Sequence, residues 1–254
     1  MSAYAPDERS KAKRYAKNVT YDKDEIQSIL AAQPLLHVAF NAAPSDPSTP
    51  QFPTILPMLG ALGTHASDPE PHIYLHGSSV ARLSRLTSNT GPTGLPVCVS
   101  STILDGYVLA LSPYNHSCNY RSAVIFGHAT FVTDADEALW AMELLTNQVT
   151  PSRWANSRTP PTRAEMTATA ILKVRIETAS AKRRARGPES DRKDAKDAET
   201  VARVWTGVVP VYQVLGEPVE APDNAVKEVP GYVQQWTESE SRKAREIALE
   251  GATG

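Results

Sequence analysis

Over most of this chain apolar residues alternate with polar ones in short runs, and only a few stretches repeat at helical spacing. Leu35 to Phe40, Thr54 to Leu62, His72 to His76, 96–103, 106–111 and 122–132 read as strands. The last is rich in β-branched and aromatic residues and carries Gly127, where a bulge or a close backbone approach is expected. Asp105-Gly106 reads as a tight hairpin between the middle pair. Asn41 to Pro53, with four prolines, reads as a loop or extended insertion overhanging a neighbouring site. This succession predicts a mainly β fold, a closed or nearly closed β-barrel with flanking helices, because antiparallel sheets of this size must deal with their edges.

Helical spacing is confined to the gaps. Asp22 and Glu25 ahead of Ile26, Ile29 and Leu30 make a capped helix over 22–32, and Ser10 to Asn18 reads as a loose basic helix. Leu139, Met142, Leu145 and Val149 predict a helix over 136–149 that covers one end of the sheet. Thr162 and Glu165 start a short helix, followed by a strand in which Ala170, Leu172, Val174 and Ile176 share a face. Ser180 to Thr200 reads as a charged loop opening with Lys182, Arg183, Arg184 and Arg186. Val201 to Leu215, with Trp205, returns to strand, and 238–250 reads as a charged peripheral helix. The expected organisation is a tail over 1–20, one domain over 21–216 and a C-terminal tail with its helix over 217–254.

Composition narrows the function. The chain has 254 residues, 41% hydrophobic and 21% charged, enough for one substantial core. A net charge of −2 gives no global basic field, so neither nucleic acid nor a membrane is the expected partner. No run approaches the ~18 apolar residues of a membrane span, and residues 1–18 are charged where a secretory signal would be apolar, so a cytoplasmic location is expected. The two cysteines, Cys98 and Cys118, lack a Cys-x-x-Cys spacing and are expected to be reduced.

Two segments carry the candidate chemistry. In Ser112 to Val132 a polar turn runs straight into a strand, and His116, Asn119, Arg121 and Ser122 cluster donors suited to a phosphate, which Arg can grip bidentately. In Pro71 to Arg85 a strand ends at His76, Gly77 permits a tight turn, Ser78 or Ser79 can cap a helix, and Arg82 or Arg85 adds a cation to its free N–H groups. Two such sites in one small domain suit one shared ligand. His72 and His76 have a metal spacing on a helix, but on a strand they lie roughly 13 Å apart by rise alone, which excludes a shared zinc. His37 and His128 sit inside strands and read as core or surface residues, and no nucleophile elbow, P-loop or dinucleotide glycine fingerprint occurs.

The order of these pieces resembles flavin-nucleotide-binding members of the pyridoxamine 5'-phosphate oxidase-like split-barrel superfamily, near the nitroimidazole-resistance reductases. The matching pieces are Leu35-Leu-His-Val-Ala-Phe40, Thr54-Ile-Leu-Pro-Met58, Ile73-Tyr-Leu-His-Gly-Ser-Ser79, Pro96-Val-Cys-Val-Ser100, Leu104-Asp-Gly-Tyr-Val-Leu109, His116-Ser-Cys-Asn-Tyr-Arg-Ser122 and Val204-Trp-Thr-Gly-Val-Val-Pro210. The resemblance implies an FMN-binding split barrel that forms a homodimer with FMN at the subunit interface. Arg82, Arg121 and Ser122 would then lie near the phosphate, and Trp205 near the ring or ribose. The remaining implied cofactor contacts are Pro57, His76, Ser78, Ser79, His116, Asn119, Tyr120, Lys182 and Arg186, and His76 is the candidate catalytic residue. The function so implied is an FMN-dependent oxidoreductase acting on a small organic molecule, with a reduced nicotinamide as a candidate donor. Two alternatives stay open: a non-catalytic flavin-nucleotide-binding protein, and a haem-binding split barrel with His76, His116 or His128 as axial ligand.

Overall fold

The computed structural model describes residues 2–42, 48, 50–66 and 68–253. Packing divides the chain into two compact units, Met1–Ser101 with Ser122–Ala181, and Thr102–Arg121 with Lys182–Gly254.

The first unit is built on a sheet that closes on itself. Its strands are β1 (Val19–Thr20), β2 (Leu35–Asn41), β3 (Pro53–Gly63), β4 (His72–Ser78), and parts of β5 (Leu95–Leu109), β6 (Ser117–Phe131) and β7 (Thr169–Arg184). The hydrogen-bonded order is β1-β7-β4-β3-β2-β5-β6, and β6 pairs back onto β7, so the sheet of described residues is a ring with β1 appended. Alternation then sorts the side chains. Leu36, Val38, Ile73, Leu75, Ile125, Leu172 and Val174 are fully buried and fill the interior. The interior is tight: a Cβ on Gly60 would lie 2.6 Å from Leu36 Cδ1. Closure is tighter still, since a Cβ on Gly127 would collide with the Arg175 carbonyl oxygen. The close approach expected at Gly127 is therefore present.

Helices cover parts of this ring. In α1 (Lys23–Ala31) the Asp22 carboxylate accepts from Glu25 N at 3.0 Å, and Ile26, Ile29 and Leu30 are buried. Both α2 (Arg82–Ser88) and α4 (Arg163–Ala168) belong to this unit and border the candidate site. In α3 (Ala135–Val149) Asp134 is the cap, and Ala141 and Leu145 pack on Ala61, Tyr74 and Ile171 of the outer sheet face. An ionic network seats the same helix. Lys173 Nζ lies 2.7 Å from both Asp68 Oδ1 and Glu137 Oε1, and the Tyr74 hydroxyl donates to Glu137 Oε1 at 2.7 Å. Burial and the two carboxylates push the Tyr74 phenol far up, so it stays a donor.

The second unit carries the far part of β5, the start of β6, β8 (Gly207–Pro210) and the helices α5 (Arg192–Ala195), α6 (Ala198–Arg203) and α7 (Gly231–Thr253). Here β8 pairs β5, with Gly106 opposite Pro210. The Arg121 guanidinium grips Asp105 bidentately, Nε to Oδ2 at 2.9 Å and Nη2 to Oδ1 at 2.8 Å.

Several sequence expectations are corrected. Asp105-Gly106 is not a hairpin: β5 runs through it, because the absent Cβ of Gly106 lets β8 approach, with Val209 O 3.1 Å from where a Cβ would stand. The charged stretch opens as strand, since β7 continues to Arg184. Val201 to Leu215 is strand only over Gly207–Pro210, because Asp197 caps α6 immediately before it. On α3, Leu139 and Val149 are exposed, and the covered face is that of Ala141 and Leu145. α7 extends well beyond 238–250, with Ala248 and Gly251 buried. Of Ser10 to Asn18 only a 3-10 turn at Ala16–Asn18 forms. In the proline-rich loop, residues 43–47 and 49 lie outside the described residues. No described helix is long and apolar enough to cross a membrane.

This packing makes two points sensitive to substitution. Gly127→Ala forces β6 off β7 and is expected to cost about 2–3 kcal/mol, a Tm loss of roughly 5–10 °C for a unit of this size. Gly187→Ala, where a Cβ meets nothing within 4 Å, should leave the melting curve unchanged. Arg121→Ala leaves Asp105, 9% exposed at its side chain, without its cation. Urea denaturation should show a loss of about 2–3 kcal/mol, partly recovered in the double variant with Asp105→Asn.

Candidate functional site

The turn after β4 borders an open depression of the first unit. His76, near the end of β4, pairs with Leu59 on one side and Ile171 on the other. It is half-buried, and burial alone holds its imidazole below the usual histidine range, so it is neutral at pH 7. Beyond it the backbone is pinned: Ser79 N donates to Ala168 O at 3.1 Å and Ala81 N to Ser78 O at 3.0 Å. The expected capping by Ser78 or Ser79 does not occur. α2 starts at Arg82 with Ala81 as N-cap and no side-chain bond, because the turn takes two more residues before helical geometry begins. Both serines are exposed in consequence.

A helix faces these serines. Thr162 and Glu165 form the expected capping box that starts α4. Together Ser78, Ser79 and Val80 with Arg163, Ala164, Thr167 and Ala168 line an open depression of ≈ 790 Å³. Arg163 has no hydrogen-bond or ion-pair partner for its guanidinium among the described residues, and Arg82 has none either. An unpaired guanidinium across from two exposed hydroxyls is the chemistry of an anion site. Sequence reasoning missed Arg163. Its i, i+4 spacing with Thr167 was the available signal, but only β7 pairing places that helix face against the β4 turn. Pro57 stands on β3 opposite His37 of β2, exposed on the outer face.

The second unit holds most of the other expected contacts. His116 is exposed, with Nδ1 2.9 Å from Ser112 O. Asn119 is fully buried and committed to the protein: Nδ2 donates to Gly251 O at 2.9 Å, while Oδ1 accepts from Arg184 Nη1 at 2.5 Å and Arg186 N at 3.2 Å. Arg184, which sequence reasoning treated as loop charge, also donates to Arg186 O at 2.9 Å and Gly187 O at 3.0 Å. Burial first, then the charge of Arg186, lowers the pKa of Arg184. Arg186 itself has a buried Nε without a partner and an ion pair to Glu189 at 3.3 Å. Lys182 Nζ lies 6.0 Å from the Tyr120 ring centre. Trp205 is 65% exposed and lies back on Gly207, where a Cβ would stand 2.5 Å from the indole. Ser122 belongs to the first unit, half-buried on β6.

The structure thus separates expected donors into two kinds. Arg121 and Asn119 are held by protein partners, whereas Ser78, Ser79, Arg82 and Arg186 keep bonding capacity for an anion. Among the described residues no group of three or more His, Cys, Asp or Glu could hold a metal ion.

Comparison with known proteins gives three results. No curated protein matches the sequence. Among solved structures, the flavocytochrome Anf3 from Azotobacter vinelandii is 28% identical, with 92% of this chain and 98% of that chain covered at a TM-score of 0.74. The FAD and heme binding protein from Mycobacterium smegmatis is 29% identical, with 87% and 97% covered at a TM-score of 0.71. The model of the family described as pyridoxamine 5'-phosphate oxidase matches residues 22–183. That match spans more than half of a chain whose closed antiparallel sheet and flanking helices have the split-barrel form, and the chain belongs to the pyridoxamine 5'-phosphate oxidase-like family.

Proposed function

We propose that this protein binds a flavin nucleotide, carries haem as a second group, and works as an oxidoreductase on a small organic molecule. The observation that carries the reading is the extent of likeness to Anf3 and to the M. smegmatis protein. Both cover far more of the chain than residues 22–183, so most of the chain beyond Arg183 is shared with a flavocytochrome and with a protein that binds FAD and heme. Those names also widen the expected flavin from FMN to FAD.

The residues present fit an anionic nucleotide. Arg163, Ser78 and Ser79 line the depression after β4 and present a cation and two hydroxyls to a phosphate. Arg82, at the start of α2, adds a cation next to that turn. Taken by itself, the second unit has the orphaned Arg186 Nε as a spare donor and the exposed Trp205 ring as an aromatic surface. His76, neutral through burial, has one donor and one acceptor nitrogen for a ring edge or substrate. When bound, the flavin supplies the electron transfer itself. The depression is open on one side, so the homodimer implied by the family resemblance would shield it, and a second copy is part of this reading.

Titration of the full chain with FMN and with FAD, followed by flavin fluorescence, tests the site. Arg163→Ala and Ser78→Ala/Ser79→Ala are each expected to weaken binding about tenfold or more, and Arg163→Lys less, because only the bidentate fork is lost. Equal affinity of all variants would place the phosphate elsewhere. Turnover is tested by anaerobic mixing of the flavin-loaded protein with NADH or NADPH, then with quinones and nitroaromatics. Reduction and acceptor-dependent reoxidation faster than free flavin are expected, from a sample whose light-scattering mass is that of a dimer. Flavin that reacts no faster when bound would leave a binding protein without turnover.

A further inference from the structure

The depression after β4 is supplied with more positive charge than one phosphate ester needs. Arg163 of α4 lines it, and Arg82 opens α2 two residues past Val80, which also lines it, so the Cα atoms of Val80 and Arg82 are no more than about 7 Å apart. Neither guanidinium has a hydrogen-bond or ion-pair partner among the described residues. Neither is offset by acid from its own segment. Between Glu70 and Asp105 the chain carries no Asp or Glu, and Glu165, two residues after Arg163, is gripped by Arg158 Nη2 at 2.6 and 2.7 Å. The volume, ≈ 790 Å³, lies in the range of sites that take a drug-sized ligand and far exceeds one phosphoryl group.

We propose that this site selects a flavin dinucleotide, with Arg163 and Arg82 each neutralising one phosphate of the diphosphate that joins the riboflavin and adenosine halves of FAD. The inference rests on the flavin part of the function proposed above and adds the choice between FMN and FAD. FMN ends in a phosphate monoester, whose charge of about −2 is concentrated on three oxygens. Ser78, Ser79 and one guanidinium satisfy such a group, which leaves Arg82 over. FAD spreads about the same charge over two singly charged phosphodiesters, one for each guanidinium. An open depression also suits a ligand that continues past its phosphates, whereas a terminal phosphate gains more from an enclosed one.

Strand register gives the ligand a direction. His76 and Ser78 share a face of β4, two residues and roughly 7 Å apart, and Ser78 still pairs with Thr169 of β7. A five-carbon ribityl chain spans that interval. With the first phosphate at Ser78 and Ser79, the flavin ring lies beside His76, half-buried between Leu59 and Ile171. Its neutral imidazole has no partner of its own among the described residues, so one donor and one acceptor are free for the ring edge. The second phosphate then falls past the turn, toward Arg82, and Val80, 75% exposed, offers the adenosine an apolar contact.

Isothermal titration of the flavin-free full chain with FMN, FAD and NADPH, at physiological ionic strength, tests the assignment. Wild type is expected to bind FAD at least about tenfold more tightly than FMN. Arg82→Ala should bring that ratio close to one, Arg82→Lys should keep part of it, and Arg163→Ala should weaken both flavins. Arg82 is exposed and unpaired, so the melting temperature of its variants should match wild type. If wild type binds FMN and FAD alike, or if Arg82→Ala weakens both by the same factor, the assignment is overturned while the flavin reading stands. If Arg82→Ala keeps the ratio and weakens NADPH binding instead, Arg82 serves the diphosphate of the nicotinamide donor, which also overturns the proposal. If neither flavin binds wild type, the flavin reading fails and the assignment with it.

Discussion

Closing the sheet forces β6 against β7, and at Gly127 the two backbones come so near that no side chain fits between them. Much else in the first unit depends on that contact. A six-strand ring encloses only enough room for its own side chains, and Leu36, Ile73, Leu75, Ile125 and Leu172 occupy it with almost no exposure. A ligand cannot enter the interior, and with β6 and β7 joined there is no long free edge for strand addition among the described residues. Binding is left to the turns and the outer face. The depression after β4 lies at one such turn, and the outer face of β2 and β3 exposes Leu35, Ile55 and Leu59.

The outer face is divided by charge as well as by shape. Where α3 sits, Lys173, Asp68, Glu137 and Tyr74 satisfy one another and fix the helix over an otherwise apolar contact. Burial pushes Asp68 up, but its bonds to Lys173 and Tyr74 and the nearby charges bring it net below the usual carboxylate range. The pairing is mutual, since Lys173 is raised in spite of its own desolvation. Beyond the helix no such network continues along β2 and β3, and the two strands carry no Asp, Glu, Lys or Arg. A face that needed only solvent contact would tolerate lysine or glutamate at Leu35, Ile55 or Leu59, so their absence belongs with a covered surface.

How far the sequence revealed this depends on the range of the interaction concerned. Alternation located six strand segments, and local caps located α1 and α4, because Asp22 with Glu25 and Thr162 with Glu165 act within one turn. Gly127 stood out because glycine weakens a β-branched run unless the backbone there must bulge or be approached closely. The failures involve long-range partners. Asp105-Gly106 has the local chemistry of a hairpin, and only the arrival of β8 from much later in the chain makes it continuous strand. The start of the basic cluster is strand for the same reason, and the residues after 203 form less strand than alternation predicted. Arg163 was invisible as a site residue because its neighbours Ser78 and Ser79 reach it through the β4–β7 pairing, which no local pattern encodes.

The same distinction explains which donors are available for a ligand. A sequence shows Asn119 and Arg121 in one polar run and invites the reading that they act together on a phosphate. In the fold, a buried amide must satisfy both ends, and Asn119 does so with Gly251, Arg184 and Arg186. Arg121 is likewise taken by a carboxylate whose burial would otherwise be costly. Their contribution is positional: within the second unit they fix the segment bearing Tyr120 and the chain around Arg186, whose Nε keeps capacity to spare. In the first unit the strand pairing of β4 with β7 does the same for Arg163 and the two serines. In each case a rigid, fully bonded frame holds under-bonded groups in place. An anion site built that way is preorganised, because those groups lose little freedom when the ligand arrives.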